Sequence, residues 1–439
     1  MLRKIYLAIA LIAFTYSVKA EGYAVNLQGA KQTGMGHVGV AINWDASSMQ
    51  FNPGALATLD AKYSLSMGGS LVWTNTEYTH PTNSALNTET DNPVSPPFYL
   101  YGSAKLTDKL AVGLAVYTPF GSSNVWGDTW AGKYLVQDIA LKSIFIQPTV
   151  SYKVNDWISV GAGLNIVYGQ FELNKAFPIL GNPLAPPSAT NPILADGNAE
   201  LSGSTVKYGY NIGVFLQPTE KLNIGISYRS KVDIELDDSE GEGKFNYPAS
   251  VPGVPDNMYQ ALVAGYKANG VTDGVFSATL PLPASLNVGL AYQVDEKWLV
   301  SADVNFVEWS VYKNLDFVSP EANSALNSSN KREWDNSITY RIGAQYSYNE
   351  KLDLRAGFYY DETPTNDQYY APETPGANKI GITGGFSYLL NEKFSLDAAF
   401  IYSKGEKREA YDTNTASQGF GGEYQNTAFI PSLGITYNL

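Results

Sequence analysis

A short polar turn that recurs along this chain is the feature that most constrains its fold. The six copies are Thr107-Asp108-Lys109-Leu110, Asn155-Asp156-Trp157, Glu220-Lys221-Leu222, Glu296-Lys297-Trp298, Glu350-Lys351-Leu352 and Glu392-Lys393-Phe394. Each copy ends on a large apolar residue and lies between segments of alternating apolar and polar residues, which is the pattern of a β-hairpin. The chain runs much further before it returns to the next turn. Tight turns at one end of the strands and long loops at the other are typical of a bacterial outer-membrane β-barrel.

The first twenty residues indicate export from the cytoplasm. Arg3 and Lys4 precede an apolar run over residues 5–14, and Val18-Lys19-Ala20 ends in a small-residue cleavage pattern. This pattern predicts a signal peptide over residues 1–20. A retained membrane anchor, the alternative, needs an apolar span nearer about twenty residues. No later segment has about eighteen uninterrupted apolar residues, so membrane-spanning helices are not expected.

The composition favours strands and argues against several partners. The chain has 31 Tyr, 18 Phe, 8 Trp and 40 Gly, and aromatic residues suit strands and the interfacial girdles of barrels. Loss of Arg3, Lys4 and Lys19 with the signal peptide takes the net charge from −13 to −16 (−13 − 3), so nucleic acid is not an expected partner. With two histidines and no cysteine, neither disulfides nor a metal or other cofactor is expected.

Alternating segments between the turns predict an all-β fold, a 14-stranded antiparallel transmembrane β-barrel over residues 60–439. The predicted strands are roughly 61–79, 95–107, 110–118, 142–154, 157–175, 203–217, 222–236, 279–294, 298–311, 334–347, 352–363, 378–391, 394–408 and 426–439. The alternation is clear at Leu222, Ile224 and Ile226, whose apolar side chains we expect to face lipid while the intervening polar ones face the lumen. A soluble sandwich also alternates, but it does not need the asymmetry between short turns and long loops.

Two stretches do not fit a barrel wall. Residues 21–59 are rich in glycine, weakly periodic and precede the first strand, so they are a candidate plug, or hatch, in the lumen; a periplasmic extension is the alternative. Pro119, Phe120 and Gly121 follow the third strand, and proline and glycine together interrupt a ladder. Such an interruption in a membrane wall is tolerated where it lines a cavity; alternatively, the strand simply ends there.

A colinear series of short motifs resembles the long-chain fatty acid transporter (FadL) family of outer-membrane channels over essentially the whole mature chain. The motifs are Gly22-Tyr23, Gly34-Met35-Gly36, Asn52-Pro53-Gly54, Tyr117-Thr118-Pro119-Phe120-Gly121, Asp128-Thr129-Trp130-Ala131-Gly132, Gly161-Ala162-Gly163-Leu164-Asn165 with Tyr168, Trp309-Ser310, Tyr340-Arg341-Ile342-Gly343 and Tyr359-Tyr360-Asp361. The resemblance implies a monomeric barrel in the outer membrane, with outer-membrane lipid and lipopolysaccharide around it and a hydrophobic small molecule as its ligand.

The same resemblance assigns roles to individual residues. The ligand is caught between outer loops, is held in a pocket above the hatch, and leaves sideways through a gap at a kink formed by Pro119, Phe120 and Gly121. Tyr23 matches the family's N-terminal aromatic residue that inserts into the pocket. Asn52, Pro53 and Gly54 match the hatch motif, which usually continues with alanine at the position of Gly54.

The charged residues of the implied pocket leave the ligand open. The resemblance places Lys175 at the family's pocket arginine and Asp316, of opposite sign, at its second cation, with Lys313 three residues earlier. A carboxylate needs a cation in an apolar pocket, so long-chain fatty acids are expected if Lys175 serves, and neutral aromatic hydrocarbons are the alternative. Lys175 is otherwise a surface loop lysine.

Two further classes of function remain as alternatives. A lipid hydrolase needs a nucleophile beside a base, but His37 and His80 of the mature chain have no evident serine partner, and no catalytic residue is predicted. A general porin needs an open lumen, which the hatch candidate argues against. Long outer loops are expected over residues 174–202 and 237–278. The second loop has a helical pattern around Met258 and Tyr266 that is suited either to lining a capture groove or to packing on the rim.

Overall fold

The computed structural model describes residues 22–412 and 420–439, so the predicted signal peptide lies outside the described residues. Within those ranges, the strands form one closed antiparallel sheet. Closure is made by β1 (Tyr63–Ser70), which pairs with β4 (Phe98–Lys105) on one side and with β22 (Phe420–Asn438) on the other. Fourteen spans cross the wall, eight of them built from two strands with a short break. The predicted 14-stranded barrel is therefore confirmed.

The remaining strands follow in chain order. They are β2 (Trp73–Thr79), β3 (Thr88–Glu89), β5 (Leu110–Tyr117), β6 (Gly121–Val125), β7 (Asp138–Lys153), β8 (Ile158–Leu180), β9 (Ile193–Thr219), β10 (Leu222–Arg229), β11 (Val232–Asn246), β12 (Gly274–Leu282), β13 (Ser285–Gln293), β14 (Trp298–Val307), β15 (Asn314–Val318), β16 (Ser328–Lys331), β17 (Ser337–Asn349), β18 (Leu352–Asp361), β19 (Lys379–Leu389), β20 (Phe394–Gly405) and β21 (Arg408–Asp412). The helices are α1 (Ala30–Thr33), α2 (Ser48–Phe51) and α3 (Asp256–Ala268), with single 3-10 turns at Pro53–Thr58, Ser84–Leu86 and Trp309–Val311.

The recurring polar turns are hairpins stabilised by a side-chain acceptor that precedes the charged pair. The Oδ1 atom of Asn349 accepts hydrogen bonds from the backbone N–H groups of Lys351 and Leu352, at 2.9 and 3.0 Å. Asn155, Asp295 and Asn391 make the equivalent pair of bonds in their own turns. An Asx side chain that bonds its own backbone in this way fixes a tight turn. Each of these turns therefore contains the side chain that fixes its own geometry.

The two faces of the wall differ as the alternation predicts. Along β22, Phe429, Leu433 and Ile435 are exposed on the outer surface, whereas Ser432 and Thr436, which alternate with them along the strand, are buried in the lumen. The apolar belt continues around the barrel, which is the surface that a bilayer requires. Among the residues described, no helix combines the length and the apolar character needed to cross a membrane.

The outer ends of several strands are longer than the sequence predicts. Most of residues 174–202 form the β8–β9 hairpin, which pairs out to Leu180 opposite Ile193. The prediction of a long loop over these residues is therefore wrong. The acidic run after residue 236 also belongs to a strand, β11. Backbone groups beyond the membrane still need partners, and the neighbouring strand supplies them. The expected helix is present as α3, which packs on this hairpin through the Tyr266 hydroxyl, 3.0 Å from the Pro178 carbonyl oxygen.

The N-terminal segment, residues 22–59, lies against the inner faces of the strands and is almost entirely buried. Asp303 of β14 accepts hydrogen bonds from the backbone N–H groups of Gly39 and Val40, at 2.7 and 3.1 Å. Lys31 forms an ion pair of 2.8 Å with Asp45, both of them buried. Burial would raise the pKa of Asp45, but the Lys31 ammonium and the hydrogen bonds from Ser47 outweigh burial and lower it. The segment is therefore held by polar contacts inside the barrel.

Candidate ligand-binding cavity and wall opening

The third span of the wall is broken at Pro119 and Phe120. Strand β5 ends at Tyr117, opposite Tyr99 of β4, and β6 resumes at Gly121. Beyond the break, β6 pairs with β7 on one side, but in the part of the chain that the structure describes it forms no ladder with β4 on the other. Farther out, the backbone N–H of Asp91 donates to the Val125 carbonyl at 2.9 Å and closes the wall again. The break therefore leaves a bounded opening.

The edge that faces β6 across the opening is residues 93–97, which contain three prolines. Pro93, Pro96 and Pro97 have no backbone N–H group to donate, so this edge cannot continue the ladder. Val94 on this edge and Phe98 just after it are exposed on the outer surface. Three prolines in five residues at the start of a predicted strand are a readable sequence signal, although no opening is predicted from them above. The two edges of the opening thus pair with their outer neighbours but not with each other.

The N-terminal segment supplies the hydrogen bonds that the kink lacks. The backbone N–H of Val25 donates to the Pro119 carbonyl at 2.8 Å, and that of Gly121 donates to the Tyr23 carbonyl at 3.0 Å. The Gln28 side-chain amide donates to the Thr118 carbonyl at 3.1 Å. A buried interruption is tolerated only when its backbone groups find such partners. The kink and the N-terminal segment are therefore one hydrogen-bonded unit.

Tyr23 anchors this unit in an aromatic cluster. Only 3% of its surface is exposed, and its ring lies 4.7 Å from Trp309 and 5.9 Å from Trp334 between ring centroids. Phe120 of the kink lies 6.4 Å away in an edge-on arrangement. The hydroxyl donates to the Pro281 carbonyl. Burial, with smaller effects of Tyr312 and Asp233, raises the pKa of Tyr23 well above its usual value, so the hydroxyl stays protonated and remains a donor.

A cavity of about 790 Å³ lies between the N-terminal segment and the wall opening. This volume is within the range of about 300–1,000 Å³ typical of small-molecule sites. Tyr23, Val25 and Leu27 line it on one side, and both edges of the opening, Pro93–Phe98 and Gly121–Val125, line it on the other. The cavity wall also contains charged residues, including Arg341 and the Lys379–Asp361 pair, whose ion-pair distance is 3.1 Å.

The Asn52-Pro53-Gly54 motif docks the N-terminal segment on the wall. The Asn52 side-chain amide donates to the carbonyls of Val40 and Val214, both at 3.0 Å, while its Oδ1 caps the 3-10 turn by accepting from Gly54 N–H. At Gly54 a Cβ atom would lie 2.9 Å from the carbonyl oxygen of Gly213 on β9. Glycine, in place of the family's usual alanine, therefore lets the N-terminal segment approach the wall closely at Gly213. The sequence alone does not show this contact.

The three charged residues predicted for the pocket do not line the cavity. Lys313 is exposed and pairs with Glu333 at 3.4 Å. Asp316 accepts a hydrogen bond of 2.6 Å from the Ser329 hydroxyl. Lys175 belongs to β8 opposite Ala199, on the same face as the buried Phe171 and Leu173, so it is not the surface loop lysine of the alternative reading. The role of these three residues in binding stays a prediction.

Neither histidine has the surroundings of a catalytic base. His37 is buried, and its Nε2 accepts from the Gln28 backbone N–H at 3.4 Å. His80 is only part-buried, on the first outer loop, and accepts from the N–H groups of Thr82 and Asn83. In residues 22–412 and 420–439, neither ring is hydrogen-bonded to a serine. The geometry gives no support to the hydrolase alternative.

Comparison with known proteins extends over nearly the whole chain. The family model described as outer membrane protein transport protein (OMPP1/FadL/TodX) matches residues 11–439. The long-chain fatty acid transport protein of Escherichia coli K12 is 22% identical over 421 residues, covering 91% of each chain. A solved Pseudomonas aeruginosa FadL homologue superposes with a TM-score of 0.81 at 19% identity, covering 95% of this chain and all of that one.

A second solved structure shares the fold. The toluene transporter TodX of Pseudomonas putida superposes with a TM-score of 0.69 at 18% identity, covering 97% of this chain and 100% of that one. These structures show the same barrel, and the family match gives its class. The broken wall, the inward N-terminal segment and the cavity between them thus belong to a protein of the outer membrane, and this chain is a member of the OMPP1/FadL/TodX family of outer-membrane transport proteins.

Proposed function

We propose that this protein takes up hydrophobic molecules by lateral diffusion through the barrel wall, and that long-chain fatty acids are its preferred substrates. A molecule caught between the outer loops enters the cavity above the N-terminal segment, which acts as a hatch. It then leaves through the opening between β6 and residues 93–97 into the outer leaflet. An apolar ligand gains by staying in apolar surroundings along this route.

The observation that carries the proposal is that one cavity borders the hatch and both edges of the wall opening. The apolar rim at Val94 and Phe98 supports an exit into lipid rather than into water. The hatch is held inside the barrel by backbone hydrogen bonds to the kink and by hydrogen bonds to the Asp303 side chain of β14, which disfavours a general porin. The apolar belt around the barrel supports a monomer surrounded by outer-membrane lipid and lipopolysaccharide.

Closing the opening tests this route. A Cβ atom at Gly121 would have only the Leu141 carbonyl oxygen at 3.4 Å and a Val25 methyl at 3.8 Å as near neighbours, so Gly121→Trp can place its ring in the opening. We expect the variant to retain oleate binding in detergent, because the rest of the cavity lining is unchanged, and to lose oleate uptake in cells that depend on it. Gly181→Trp, at the exposed end of the β8–β9 hairpin, where a Cβ atom would have its nearest neighbour at 3.7 Å, is the control. Uptake that survives a structurally verified closure would contradict lateral exit.

Aromatic-hydrocarbon uptake by the same route is the second candidate. The solved toluene transporter shares the fold, and none of the three predicted charged residues lines the cavity. Binding assays with oleate, oleyl alcohol and toluene on the same purified protein separate the two candidates. Preference for toluene over both long-chain compounds would favour the hydrocarbon.

A further inference from the structure

Arg341 of β17 is a buried cation that forms no ion pair with any residue that the structure describes. It is 6% exposed, and its Nη2 has no hydrogen-bond partner. Among the described residues, no carboxylate oxygen lies within 4.0 Å of its guanidinium nitrogens. A buried charge without a partner is strongly unfavourable, since it loses its hydration and gains nothing in return. A guanidinium in this state indicates that something outside the chain completes its surroundings.

The carboxylate of Asp303 bonds the hatch through one oxygen, whereas its other oxygen, Oδ1, is buried and has no hydrogen-bond partner. Asp303 lies directly across the ladder from Arg341, and its Oδ2 accepts the two backbone bonds from Gly39 and Val40 of the hatch. The carboxylate lowers the electrostatic cost of the guanidinium without forming an ion pair with it. The guanidinium keeps its hydrogen-bonding capacity free.

Arg341 also lies at the junction of two cavities. It lines the large cavity of about 790 Å³ and a second, smaller one of about 70 Å³. His37, Phe120 and the backbone of residues 24–26 line both as well. The large cavity has mostly apolar walls, as at Val25 and Leu141, whereas the small one combines polar side chains such as Asn211 and Arg229 with apolar ones such as Phe51. The junction thus lies where mostly apolar space meets more polar space.

Two further unpartnered donors lie at the small cavity. The Nε of Arg229 has no hydrogen-bond partner. His37 accepts a hydrogen bond at Nε2, so its neutral ring carries the proton on Nδ1, which is also unpartnered. Burial, and to a smaller extent the Arg341 guanidinium, keep the pKa of His37 well below its usual range, so the ring is neutral at pH 7. Unpartnered amide oxygens of Asn211 and Asn305 leave acceptors for bridging water.

We propose that Arg341 binds the carboxylate of a long-chain fatty acid whose tail occupies the large cavity. A guanidinium presents paired N–H donors that match the two oxygens of a carboxylate. The polar small cavity holds water that hydrates the head group, and the tail extends towards the wall opening. This inference rests on the proposed function and names its substrate class, and it assigns the head group to Arg341 rather than to Lys175.

Binding of two matched probes tests the assignment. Purified protein in a neutral detergent is titrated with oleate and with oleyl alcohol, which differ only in the head group. We expect wild-type protein to prefer oleate. Arg341→Gln should weaken oleate about 10- to 100-fold, as expected for a charge-assisted hydrogen bond, while oleyl alcohol changes less than about twofold. Arg341→Lys should retain part of the preference.

Two control variants make the result specific. Arg355→Gln removes another buried lumenal guanidinium, whose nitrogens already bond Gln345 at 2.8 Å and Ser387 at 2.5 Å and which lines neither cavity; the preference for oleate should survive. Lys175→Met should also preserve it. A preference lost in Lys175→Met and kept in Arg341→Gln would overturn the assignment.

The remaining outcomes separate this inference from the proposed function. Wild-type protein that binds both probes equally keeps the proposed function and overturns the role of Arg341. Wild-type protein that binds neither probe overturns both. Arg341→Gln should fold, as judged by heat-modifiable migration in gels, because Asp303 opposite it keeps its two hydrogen bonds from the hatch when the guanidinium is removed. Failure to fold would mark Arg341 as structural and would count against the proposal.

Discussion

Truncation of Tyr23 should release the N-terminal segment from the kink. The side chain is almost completely buried among Trp309, Trp334 and Phe120, and truncation of a buried aromatic residue to alanine costs about 3–5 kcal/mol. This free energy stabilises the docked state of residues 22–25 rather than the whole barrel, because the ladder elsewhere does not depend on it. Since each 1.4 kcal/mol is a factor of ten, Tyr23→Ala should favour the undocked state by roughly a hundredfold to a few thousandfold.

Hydrogen exchange followed by mass spectrometry measures this change directly. The backbone N–H groups of Val25 and Gly121 bond across the hatch–kink junction, so their exchange should accelerate by the same factor in Tyr23→Ala. Tyr23→Phe keeps the ring and loses only the hydroxyl bond to Pro281, about 0.5–1.5 kcal/mol, and should accelerate exchange about two- to tenfold. Peptides from the β18–β19 hairpin serve as the internal control. Unchanged exchange at Gly121 in Tyr23→Ala would refute the coupling of hatch and kink.

Three further predictions follow from the same contacts. Deletion of residues 22–59 should raise single-channel conductance to small ions, and a folded deletion protein with unchanged conductance would show that the segment is not a plug. Undocking of the hatch should increase as the pH falls below about 6.5, by at most tenfold per unit, because undocked His37 takes up a proton that the buried ring, with its lowered pKa, resists. Exchange at pH 7.5 and 5.5, corrected for the intrinsic pH dependence of amide exchange, measures this, and His37→Gln should weaken the dependence. The family resemblance predicts that Lys175→Met weakens fatty acid binding by about tenfold or more. Because Lys175 does not line the cavity, we expect instead a change in affinity below about twofold in a direct binding assay.

The barrel was predictable because its signals are local. Each hairpin turn carries an Asx or threonine acceptor within three residues of the N–H groups that it bonds, and the period-2 alternation is imposed by lipid on one face and polar lumen on the other. Strand ends were less predictable. Beyond the membrane no contrast between lipid and lumen marks where a strand ends, and glycine and polar residues continue along β9. The sequence pattern therefore does not show that the β8–β9 hairpin continues through much of residues 174–202.

The candidate site was only partly predictable because it is made by distant segments. The break at Pro119 was readable from the chemistry of proline, but its hydrogen bonds come from Val25 and Gln28, about ninety residues away in the sequence. Arg341 belongs to a motif that supported the family resemblance, yet nothing in the pattern of β17 shows that its guanidinium lacks a partner. Pairing of charges is a property of the folded lumen, and a single sequence does not reveal it.

The most direct test of lateral uptake is to locate a bound fatty acid by anomalous scattering. A crystal structure of the protein with a long-chain fatty acid brominated near the middle of its tail would place the bromine without ambiguity. If uptake is lateral, bromine density will lie in the cavity between Leu27 and the wall opening at Gly121, with the carboxylate end towards Arg341. Bromine density on the barrel axis below the hatch, on a path to the periplasm, would contradict it.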